Sequence, residues 1–319
     1  MSKVVVIGAT GHIGTYLIPR LVMAGHDVTA ISRGVARPYQ QSAVWRHVTS
    51  VTIDREAEEA KGWFGQAIAA LGADIVVDLI CFTEASNRQI ADALEGRVSH
   101  FIHIGTIWTH GHATVVPTPE SAAKYPFGDY GTAKAAIEAD LLSRARMRGF
   151  PATIVHPGHI VGPGWAPLNP AGHFNPAVFS TIARGDTLPL PNFGLETVHH
   201  VHADDVAQVV MRAIDTRSAA VGESFHAVSD AAVTLRGYAE AMYRWFGHEP
   251  RLSFAGFEEW AKSQDADEAK ATWEHIARSP NCSIEKGRRL LGYAPRYTSL
   301  EAVQEAVTWL ISDGQVQGR

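Results

Sequence analysis

The chain has 319 residues, 46% of them hydrophobic, so it is long enough to bury the core of one large domain or of two. A formal net charge of −5, with no basic run longer than Arg288-Arg289, argues against binding to nucleic acid or to an anionic membrane. The only two cysteines, Cys81 and Cys282, lie far apart, which favours a reducing compartment and excludes a disulfide framework. No secretory signal is recognisable and no apolar run approaches about 18 residues, so we expect a cytoplasmic protein without a membrane span.

The stretch KVVVIGATGHIG, from Lys3 to Gly14, joins a short β-branched run to an apolar helical pattern. Gly8 permits a tight turn, Gly11 lets a phosphate approach the backbone, and Gly14 lets the helix pack closely on the sheet. The N-terminus of that helix would lie at the carboxyl edge of a parallel sheet, where its N–H groups and its dipole bind a pyrophosphate. The stretch therefore predicts nucleotide binding, although an ordinary glycine-rich turn shows the same pattern.

Short apolar runs alternate with helical patterns through the first half, as in a parallel sheet with crossover helices. We expect the helix that begins near Tyr130 to be capped by Asp129 and to end at Gly149. The predicted fold is α/β, a Rossmann-type doubly wound parallel sheet. After the opening unit, strands are predicted at residues 27–32, 48–53, 74–80, 100–105 and 152–156, and helices at 56–71, 86–94 and 130–148.

The pattern changes after Pro157, where glycines and prolines crowd residues 162–176. Such a stretch is neither a continuous helix nor a central strand, and it predicts a functional loop. A helix at 204–215 and a strand at 225–228 follow, and the remainder is mostly helical in pattern. We therefore predict a dinucleotide-binding domain from residues 1–162 and 196–228, and a smaller, mostly helical substrate domain from residues 163–195 and 229–319.

A second group of polar residues follows the predicted fifth strand. Tyr130 and Lys134 are four residues apart in the first turn of a helix, which places the phenol and the ammonium on one face. A neighbouring ammonium favours the phenolate, so Tyr130 could exchange a proton near neutral pH. Thr106 ends a strand at the carboxyl edge, where its hydroxyl could bind a substrate oxygen. The spacing also occurs by chance on helices whose tyrosine is merely half-buried.

Several segments together resemble the NAD-dependent epimerase/dehydratase family of extended short-chain dehydrogenases/reductases, and the match runs nearly end to end. The glycine turn and the YGTAK segment are specific in combination, and the others support the alignment. The matching segments are GATGHIG (8–14), ADIVVD (73–78), FIHIGTIWTHG (101–111), YGTAK (130–134), HPGHIVGPG (156–164), VHADDVA (201–207) and LLGYAP (290–295).

The resemblance implies that Tyr130 is the catalytic acid/base, that Thr106 orients the reacting oxygen, and that Lys134 holds the nicotinamide ribose and lowers the pKa of the tyrosine. Hydride would pass to or from the nicotinamide at the adjacent carbon. The family also implies a homodimer formed through the helix that carries Tyr130. The residues expected to contact the cofactor are Gly8, Thr10, Gly11, His12, Ile13, Gly14, Arg33, Asp54, Leu79, Lys134 and Pro157.

The end of the second strand departs from many NAD-specific members, which place an acidic residue there. This chain has Ser32-Arg33, and a guanidinium suits the 2′-phosphate of NADP, so we expect NADP in preference to NAD. Arg33 also precedes Gly34 in a turn and could be a solvated charge. Asp54 could meet the adenine amino group or could cap a helix.

Two other departures concern the substrate. His156 stands where the family often has an arginine before Pro-Gly. Val198, His199 and His200 stand before VHADDVA, where an arginine contacts diphosphate in sugar-nucleotide epimerases. Without these fixed cations a nucleotide-sugar substrate is less well supported, although a protonated histidine could serve in part. Gly105-Thr106 replaces the usual paired hydroxyls, so one donor is absent.

Sixteen histidines raise the question of a metal. His200 and His202 share a face of an extended segment, but no further ligand stands at a recognisable spacing, and Asp204 better fits a helix start. No metal site is predicted. The side chains predicted to line the substrate cleft are Trp108, His110, His159, His173 and His200.

These features predict an NAD(P)-dependent oxidoreductase or epimerase that acts on a hydroxyl or carbonyl carbon of a small molecule, such as a sugar or sugar derivative. The alternative is a non-catalytic dinucleotide sensor or RNA-binding member of the same fold. Some similar family members with Ser-Arg-Gly after the second strand are associated with chloroplast RNA. The negative charge disfavours RNA binding, and an intact Tyr130/Lys134 pair disfavours a pure sensor.

Overall fold

The computed structural model describes residues 1–317, and these contain thirteen strands and thirteen α-helices. The strands are β1 (Lys3–Ile7), β2 (Asp27–Ser32), β3 (Thr49–Thr52), β4 (Ile75–Asp78), β5 (His100–Ile104), β6 (Ala152–Pro157), β7 (His159–Val161), β8 (Leu188–Pro191), β9 (Thr197–Val198), β10 (His200–His202), β11 (Ser224–Ala227), β12 (Val233–Thr234) and β13 (Leu252–Ala255). The helices are α1 (His12–Met23), α2 (Arg55–Ala60), α3 (Phe64–Ala69), α4 (Glu84–Leu94), α5 (Asp129–Arg148), α6 (Ala177–Ala183), α7 (Ala203–Asp215), α8 (Arg217–Ala220), α9 (Leu235–Trp245), α10 (Phe257–Ala261), α11 (Ala266–Ile276), α12 (Glu285–Leu291) and α13 (Ser299–Ser312).

Seven strands form the central sheet, in the order β11-β6-β5-β4-β1-β2-β3, and every neighbouring pair is parallel. The strand order reverses between β1 and β4, and a crevice for ligands opens at the carboxyl ends of the strands at such a point. The predicted Rossmann-type doubly wound sheet is confirmed. Three two-stranded sheets, β10-β7, β12-β9 and β13-β8, lie outside it.

Two helix predictions were wrong in detail. The helix expected at residues 56–71 is two helices, α2 and α3, because the chain between them turns at Gly62, whose φ is +73°. Asp129 is the first residue of α5 and not its cap; Gly128 occupies the cap position with φ +71°. The expected end of α5 at Gly149 is confirmed, since Gly149 adopts a left-handed conformation with φ +69°.

Alternation of side chains along the buried strands supplies a core on each face of the sheet. Val4 and Val6 pack against α1 and α7, whereas Val5 and Ile7 pack toward α3, α4 and α5. A third core, between residues 161 and 316, is built mainly from helices and includes Trp260. It forms the smaller, mostly helical part of the fold. The predicted domain boundaries stay a prediction, and residues 318–319 of the second domain lie outside the described residues.

Within residues 1–317, no helix combines the length and the apolar composition needed to cross a bilayer.

Candidate active site

The glycine turn joins β1 to α1 with the close approaches that the sequence predicts. Gly8 has φ +84°, and a Cβ there would lie 2.7 Å from Ile80 Cγ2. A Cβ on Gly14 would lie 2.2 Å from the carbonyl oxygen of Ala9, so α1 can sit against the turn only with glycine at this position. Gly11 precedes α1 without a side-chain cap, and no acidic residue stands in the first turn. The N-terminal amides of α1 therefore remain available to an anionic group, and the turn fits a pyrophosphate.

A cavity of about 600 Å³ extends from this turn to the ends of β2 and β3. Arg33 is exposed at its wall and forms no salt bridge with any residue in the described range 1–317. Asp54 also lines the cavity, and its Oδ1 accepts the N–H of Ala57 at 3.1 Å as the cap of α2. Five of the expected cofactor residues line this cavity: Gly8, Thr10, Gly11, Arg33 and Asp54.

The remaining expected cofactor residues surround the turn and the strand ends. Ile13 is buried in the core behind the turn, and the N–H of Leu79 donates to the carbonyl of Ile7 at 3.1 Å. Pro157 ends β6 and pairs with Ala227 of β11. These backbone positions lie near the carboxyl edge, and their contact with a cofactor stays a prediction.

Arg55 is a cavity-lining residue that the sequence reasoning missed. Its Nη1 donates to both carboxylate oxygens of the fully buried Asp78, at 2.8 and 3.0 Å, and its Nε donates to Glu59 at 2.6 Å. The pair joins the start of α2 to the end of β4 and forms part of the wall beneath Asp54. The 23 residues that separate the partners leave no local signal, so only the assembled sheet brings them together.

His12, expected to contact the cofactor, has aromatic neighbours from two distant loops. Its ring stacks on Trp165 with centroids 3.7 Å apart, and its Nε2 lies 3.0 Å from the hydroxyl of Tyr39. Tyr39 also lines the cavity. Burial lowers the pKa of His12 to about 4, so this imidazole is neutral at pH 7. The three side chains connect the loop after β2 and the loop after β7 at the N-terminus of α1.

Thr106, Tyr130 and Lys134 lie together at the carboxyl end of β5. Lys134 is buried, and its Nζ donates to the carbonyls of Cys81 at 2.6 Å and Ile104 at 2.7 Å. The same nitrogen lies 5.9 Å from the centroid of the Tyr130 ring. Thr106 Oγ1 accepts the N–H of Trp108 at 3.2 Å, which fixes its hydroxyl at the start of a short 3-10 turn.

The pKa shift of Tyr130 differs from the one that the sequence predicts. Desolvation raises the pKa of the Tyr130 phenol above its usual value, and hydrogen bonding with Thr106 opposes that rise. No lowering by Lys134 accompanies these two effects. Two carbonyls hold its ammonium, and burial lowers the pKa of that ammonium to about 8. An ammonium has three donors, so one remains for another partner.

A buried polar network supports Thr106 from beneath the sheet edge. The N–H of Thr106 donates to His156 Nδ1 at 3.0 Å, which leaves Nε2 as the donor nitrogen of the ring. That nitrogen lies 3.1 Å from Glu138 Oε1, and Lys124 pairs with the same carboxylate. Burial opposes ionisation of Glu138, but His156 and Lys124 outweigh it and hold the pKa of this carboxyl well below its usual range.

The network explains two departures from the family pattern together, the glycine at position 105 and the histidine at position 156. A Cβ on Gly105 would lie 2.4 Å from His156 Nδ1, a distance at which no side chain fits. The imidazole at position 156 therefore excludes a hydroxyl-bearing side chain at position 105, which accounts for the absent donor. The histidine is a buried partner of Thr106 and Glu138, and not a replacement cation for diphosphate.

Replacing Gly105 with serine should destabilise the protein by about 1–3 kcal/mol, because the added atoms overlap His156. The double variant with His156→Ala should recover part of this loss, since the smaller side chain vacates the space. Urea unfolding of the single and double variants measures the coupling between the two positions. A Gly105→Ser protein as stable as the wild type, or strictly additive effects, would contradict the predicted overlap.

The structure separates the five residues predicted to line the substrate cleft. Trp108 meets the ring of Tyr130 edge-on, with centroids 5.8 Å apart, and lies 5.1 Å from the ring of His275, which the sequence reasoning missed. His159 lies next, 5.0 Å from His275. Trp108 and His159 therefore belong to one continuous group of rings beside Tyr130.

The other three predicted cleft residues have protein partners. His110 is buried with its Nε2 2.9 Å from Nε2 of His226, so the structure does not support a role in substrate contact. His173 is buried and its Nδ1 accepts the N–H of Asn175 at 3.2 Å. His200 is fully buried, although its ring lies 5.8 Å from that of His159.

The histidines of β10 have structural roles. His202 Nδ1 accepts the N–H of Asp204 at 3.0 Å as the cap of α7, and its Nε2 lies 2.8 Å from Glu305. No three His, Cys, Asp or Glu side chains between residues 1 and 317 are placed to hold a metal ion.

The family comparison agrees with this geometry. A model of the NAD dependent epimerase/dehydratase family matches residues 4–227. A 2′-dehydrokanamycin reductase of Streptomyces kanamyceticus is 26% identical over 98% of this chain and 86% of its own. The chloroplast stem-loop binding protein of 41 kDa b of Arabidopsis thaliana is 24% identical over 96% of this chain and 78% of its own.

Among solved structures, a UDP-glucose 4-epimerase of Thermotoga maritima superposes with a TM-score of 0.73 at 19% identity, over 98% of this chain and 99% of that one. This likeness extends the agreement in fold beyond the sheet to nearly the whole chain. Since the family model spans well over half of the residues, the chain belongs to the NAD dependent epimerase/dehydratase family and is an enzyme that uses a nicotinamide dinucleotide.

Proposed function

We propose that the protein transfers hydride between a nicotinamide dinucleotide and a hydroxyl or carbonyl carbon of a small molecule, as an oxidoreductase or epimerase. The observation that carries this proposal is the meeting of Thr106, Tyr130 and Lys134 at the carboxyl edge that also bears the glycine turn. A dinucleotide spanning the turn and this edge would bring its nicotinamide beside Tyr130. The named substrates of the relatives, a dehydrokanamycin and a UDP-glucose, favour a sugar or sugar derivative.

Tyr130 holds the proton that moves to or from the substrate oxygen, since its phenol remains protonated at neutral pH. Thr106, fixed by Trp108 and His156, binds the same oxygen and orients it. Lys134 locks the start of α5 to the ends of β4 and β5 and uses its third donor to hold the nicotinamide ribose. The bound dinucleotide supplies the hydride.

Deuterium transfer tests this proposal, because the label reports the reaction whichever small molecule receives it. The protein is incubated with NADPH deuterated on the nicotinamide and with a metabolite extract, and the products are examined by mass spectrometry. We expect a deuterium-labelled product that is absent when Tyr130 is replaced with phenylalanine. Failure to label any product, with NADPH bound, would contradict a reductase reaction and leave the epimerase reaction, in which no hydride from added nucleotide enters the product.

We further propose NADP as the preferred cofactor, because Arg33 stands exposed and unpaired among the described residues at the end of β2. Replacing Arg33 with alanine should weaken NADPH binding by about tenfold or more and leave NADH binding nearly unchanged, since only NADPH carries a 2′-phosphate. Calorimetric titration of both cofactors measures this. Arg37→Ala, an exposed arginine in the same loop, is the matched control. Equal losses for the two cofactors would contradict the assignment.

The alternative function, a non-catalytic dinucleotide sensor or RNA-binding protein, is less well supported. Its net charge is −5, and stem-loop binding is a property named for one relative at 24% identity. An RNA-binding surface needs clustered basic side chains to neutralise phosphates. We therefore favour catalysis on a small molecule. The homodimer and the cytoplasmic location stay predictions.

A further inference from the structure

Three aromatic side chains from separate segments of the chain meet at the first turn of α1, and we call His12, Tyr39 and Trp165 the aromatic triad. The rings of His12 and Trp165 are stacked, with centroids 3.7 Å apart and an angle of 9° between their planes. The ring of Tyr39 lies 4.8 Å from that of His12 and 5.0 Å from that of Trp165, and its hydroxyl is 3.0 Å from His12 Nε2. Each ring therefore contacts the other two.

Hydrogen bonds outside the triad fix two of its members. The indole Nε1 of Trp165 donates to the carbonyl of Ile160 at 3.1 Å. The backbone N–H of Tyr39 donates to Oγ1 of Thr15, in the first turn of α1, at 3.1 Å. Both rings are thus held by bonds that do not involve His12, and together they form a fixed site for its imidazole.

Two glycines let the loop of residues 162–165 approach the other members of the triad. Gly164 has φ +113°, and a Cβ there would lie 2.4 Å from Cδ1 of Tyr39. A Cβ on Gly162 would lie 2.8 Å from Cη2 of Trp165. A side chain at either position would push the loop or the rings apart, so the contact depends on glycine at both.

The triad borders the cavity that begins at the glycine turn. Thr10 and Gly11, which directly precede His12, line this cavity, and so does Tyr39. Tyr39 is also 42% exposed, so its ring stands at the boundary between the cavity and solvent. Hydrogen bonds from the N-terminal amides of α1 to an anion are stronger where water is excluded. The triad is placed to exclude water from a pyrophosphate at the turn.

The stack of Trp165 on His12 also joins the two parts of the fold. Val161 and Leu168, on either side of Trp165 in the sequence, are buried in the third core. Ile13, which follows His12, is buried in the core between the sheet and its helices. The loop that carries Trp165 is therefore anchored in the smaller, mostly helical part, whereas His12 belongs to the part that carries the glycine turn.

We propose that Tyr39 and Trp165 are positioning residues for the cofactor, which act through His12 to fix the first turn of α1 against the pyrophosphate and to slow release of the dinucleotide. The inference deepens the proposed function and rests on it, because it takes the glycine turn as the pyrophosphate site. A pyrophosphate is common to NADPH and NADH, so the triad acts on both, unlike Arg33. Release requires the loop of Trp165 to leave His12, and lid opening of this kind limits many turnovers.

Stopped-flow displacement tests the inference. Protein loaded with NADPH or with NADH is mixed with an excess of the oxidised nucleotide, and the fluorescence of the reduced nicotinamide reports its release. Trp165→Ala should speed the release of both nucleotides about tenfold, because the stack on His12 is lost. Trp165→Phe keeps an aromatic ring and should restore much of the effect. Tyr39→Phe loses only the hydroxyl and should speed release about threefold.

Two controls separate this effect from a loss of folding. Thermal unfolding should stay near wild type in Trp165→Phe and Tyr39→Phe, since both variants keep a ring in the triad. Trp245→Ala removes an exposed tryptophan at the end of α9 and should leave the release rates unchanged.

Release at the wild-type rate in both Trp165→Ala and Tyr39→Phe would overturn the inference. An effect confined to NADPH would also overturn it, since that would place the triad at the 2′-phosphate. Release is measured without the chemical step, so the two proposals can fail separately. Faster release in Trp165→Ala, from a protein without Tyr130-dependent hydride transfer, would sustain this inference and contradict the proposed function. Tyr130-dependent transfer with wild-type release in the triad variants would do the reverse.

Discussion

Replacing Tyr130 with phenylalanine should lower kcat by about two to four orders of magnitude, because the variant keeps the ring and loses the hydroxyl that carries the proton. The aromatic contacts of Tyr130 with Trp108 and Phe82 do not involve that hydroxyl, so stability should change little. NADPH affinity should also stay near wild type, since Lys134 keeps both of its carbonyl partners. Single-turnover kinetics with the labelled product from the metabolite extract measure the loss.

Tyr125→Phe supplies the matched control, because Tyr125 is also an exposed tyrosine and precedes α5. Its turnover should equal that of the wild type. Full activity in Tyr130→Phe would show that Tyr130 is not the acid/base. A parallel loss of NADPH binding would instead show that the phenol holds the cofactor.

Acidification should unfold the protein within about one to two pH units below 6.5. Burial lowers the pKa of five buried histidines from 6.5 to about 4: His100, His110, His199, His200 and His275.

The sign follows from proton binding. Between pH 6.5 and 4 the unfolded chain binds these protons and the folded protein does not, so the free energy of unfolding falls as the pH falls. Burial raises the pKa of Asp205 to about 6, and its proton uptake in the folded state offsets about one histidine. These five histidines and Asp205 together contribute a slope of about 5 kcal/mol per pH unit near pH 5, and His12, whose pKa burial also lowers to about 4, adds to it.

Urea unfolding at a series of pH values measures this slope. His100→Gln removes one of the titrating groups and should reduce the slope by about 1.4 kcal/mol per pH unit. A free energy of unfolding that stays flat from pH 6.5 to 4.5 would show that these imidazoles reach solvent.

Local pattern was enough to predict the sheet and to place the candidate site residues at its carboxyl edge. The β-branched run Val4–Ile7, the three glycines after it and the spacing of Tyr130 and Lys134 each act through residues close in sequence. Such signals report strand burial, turn geometry and helix faces directly. The end of α5 was predicted for the same reason, because Gly149 supplies the left-handed conformation by itself.

The features of the site that the sequence did not predict depend on residues far apart in the chain. Arg55 meets Asp78 across the sheet edge, and His156 excludes a side chain at Gly105 from the neighbouring strand. Burial raises the pKa of Tyr130 in place of the expected lowering, and the carbonyls that hold Lys134 belong to β5 and to the segment after β4. A spacing of four residues places two side chains on one face but does not say which other groups will bind them.

The central claim is that a dinucleotide bound at the glycine turn works with Tyr130, and the most direct measurement begins with the nucleotide. Freshly purified protein is denatured, any released nucleotide is identified by mass spectrometry, and the emptied protein is titrated with NADPH and NADH. We expect an exchangeable site that prefers NADPH, in keeping with Arg33 at the end of β2. Tightly retained NAD⁺ would indicate an epimerase cycle and make Arg33 a bystander, and binding of neither nucleotide would contradict the central claim.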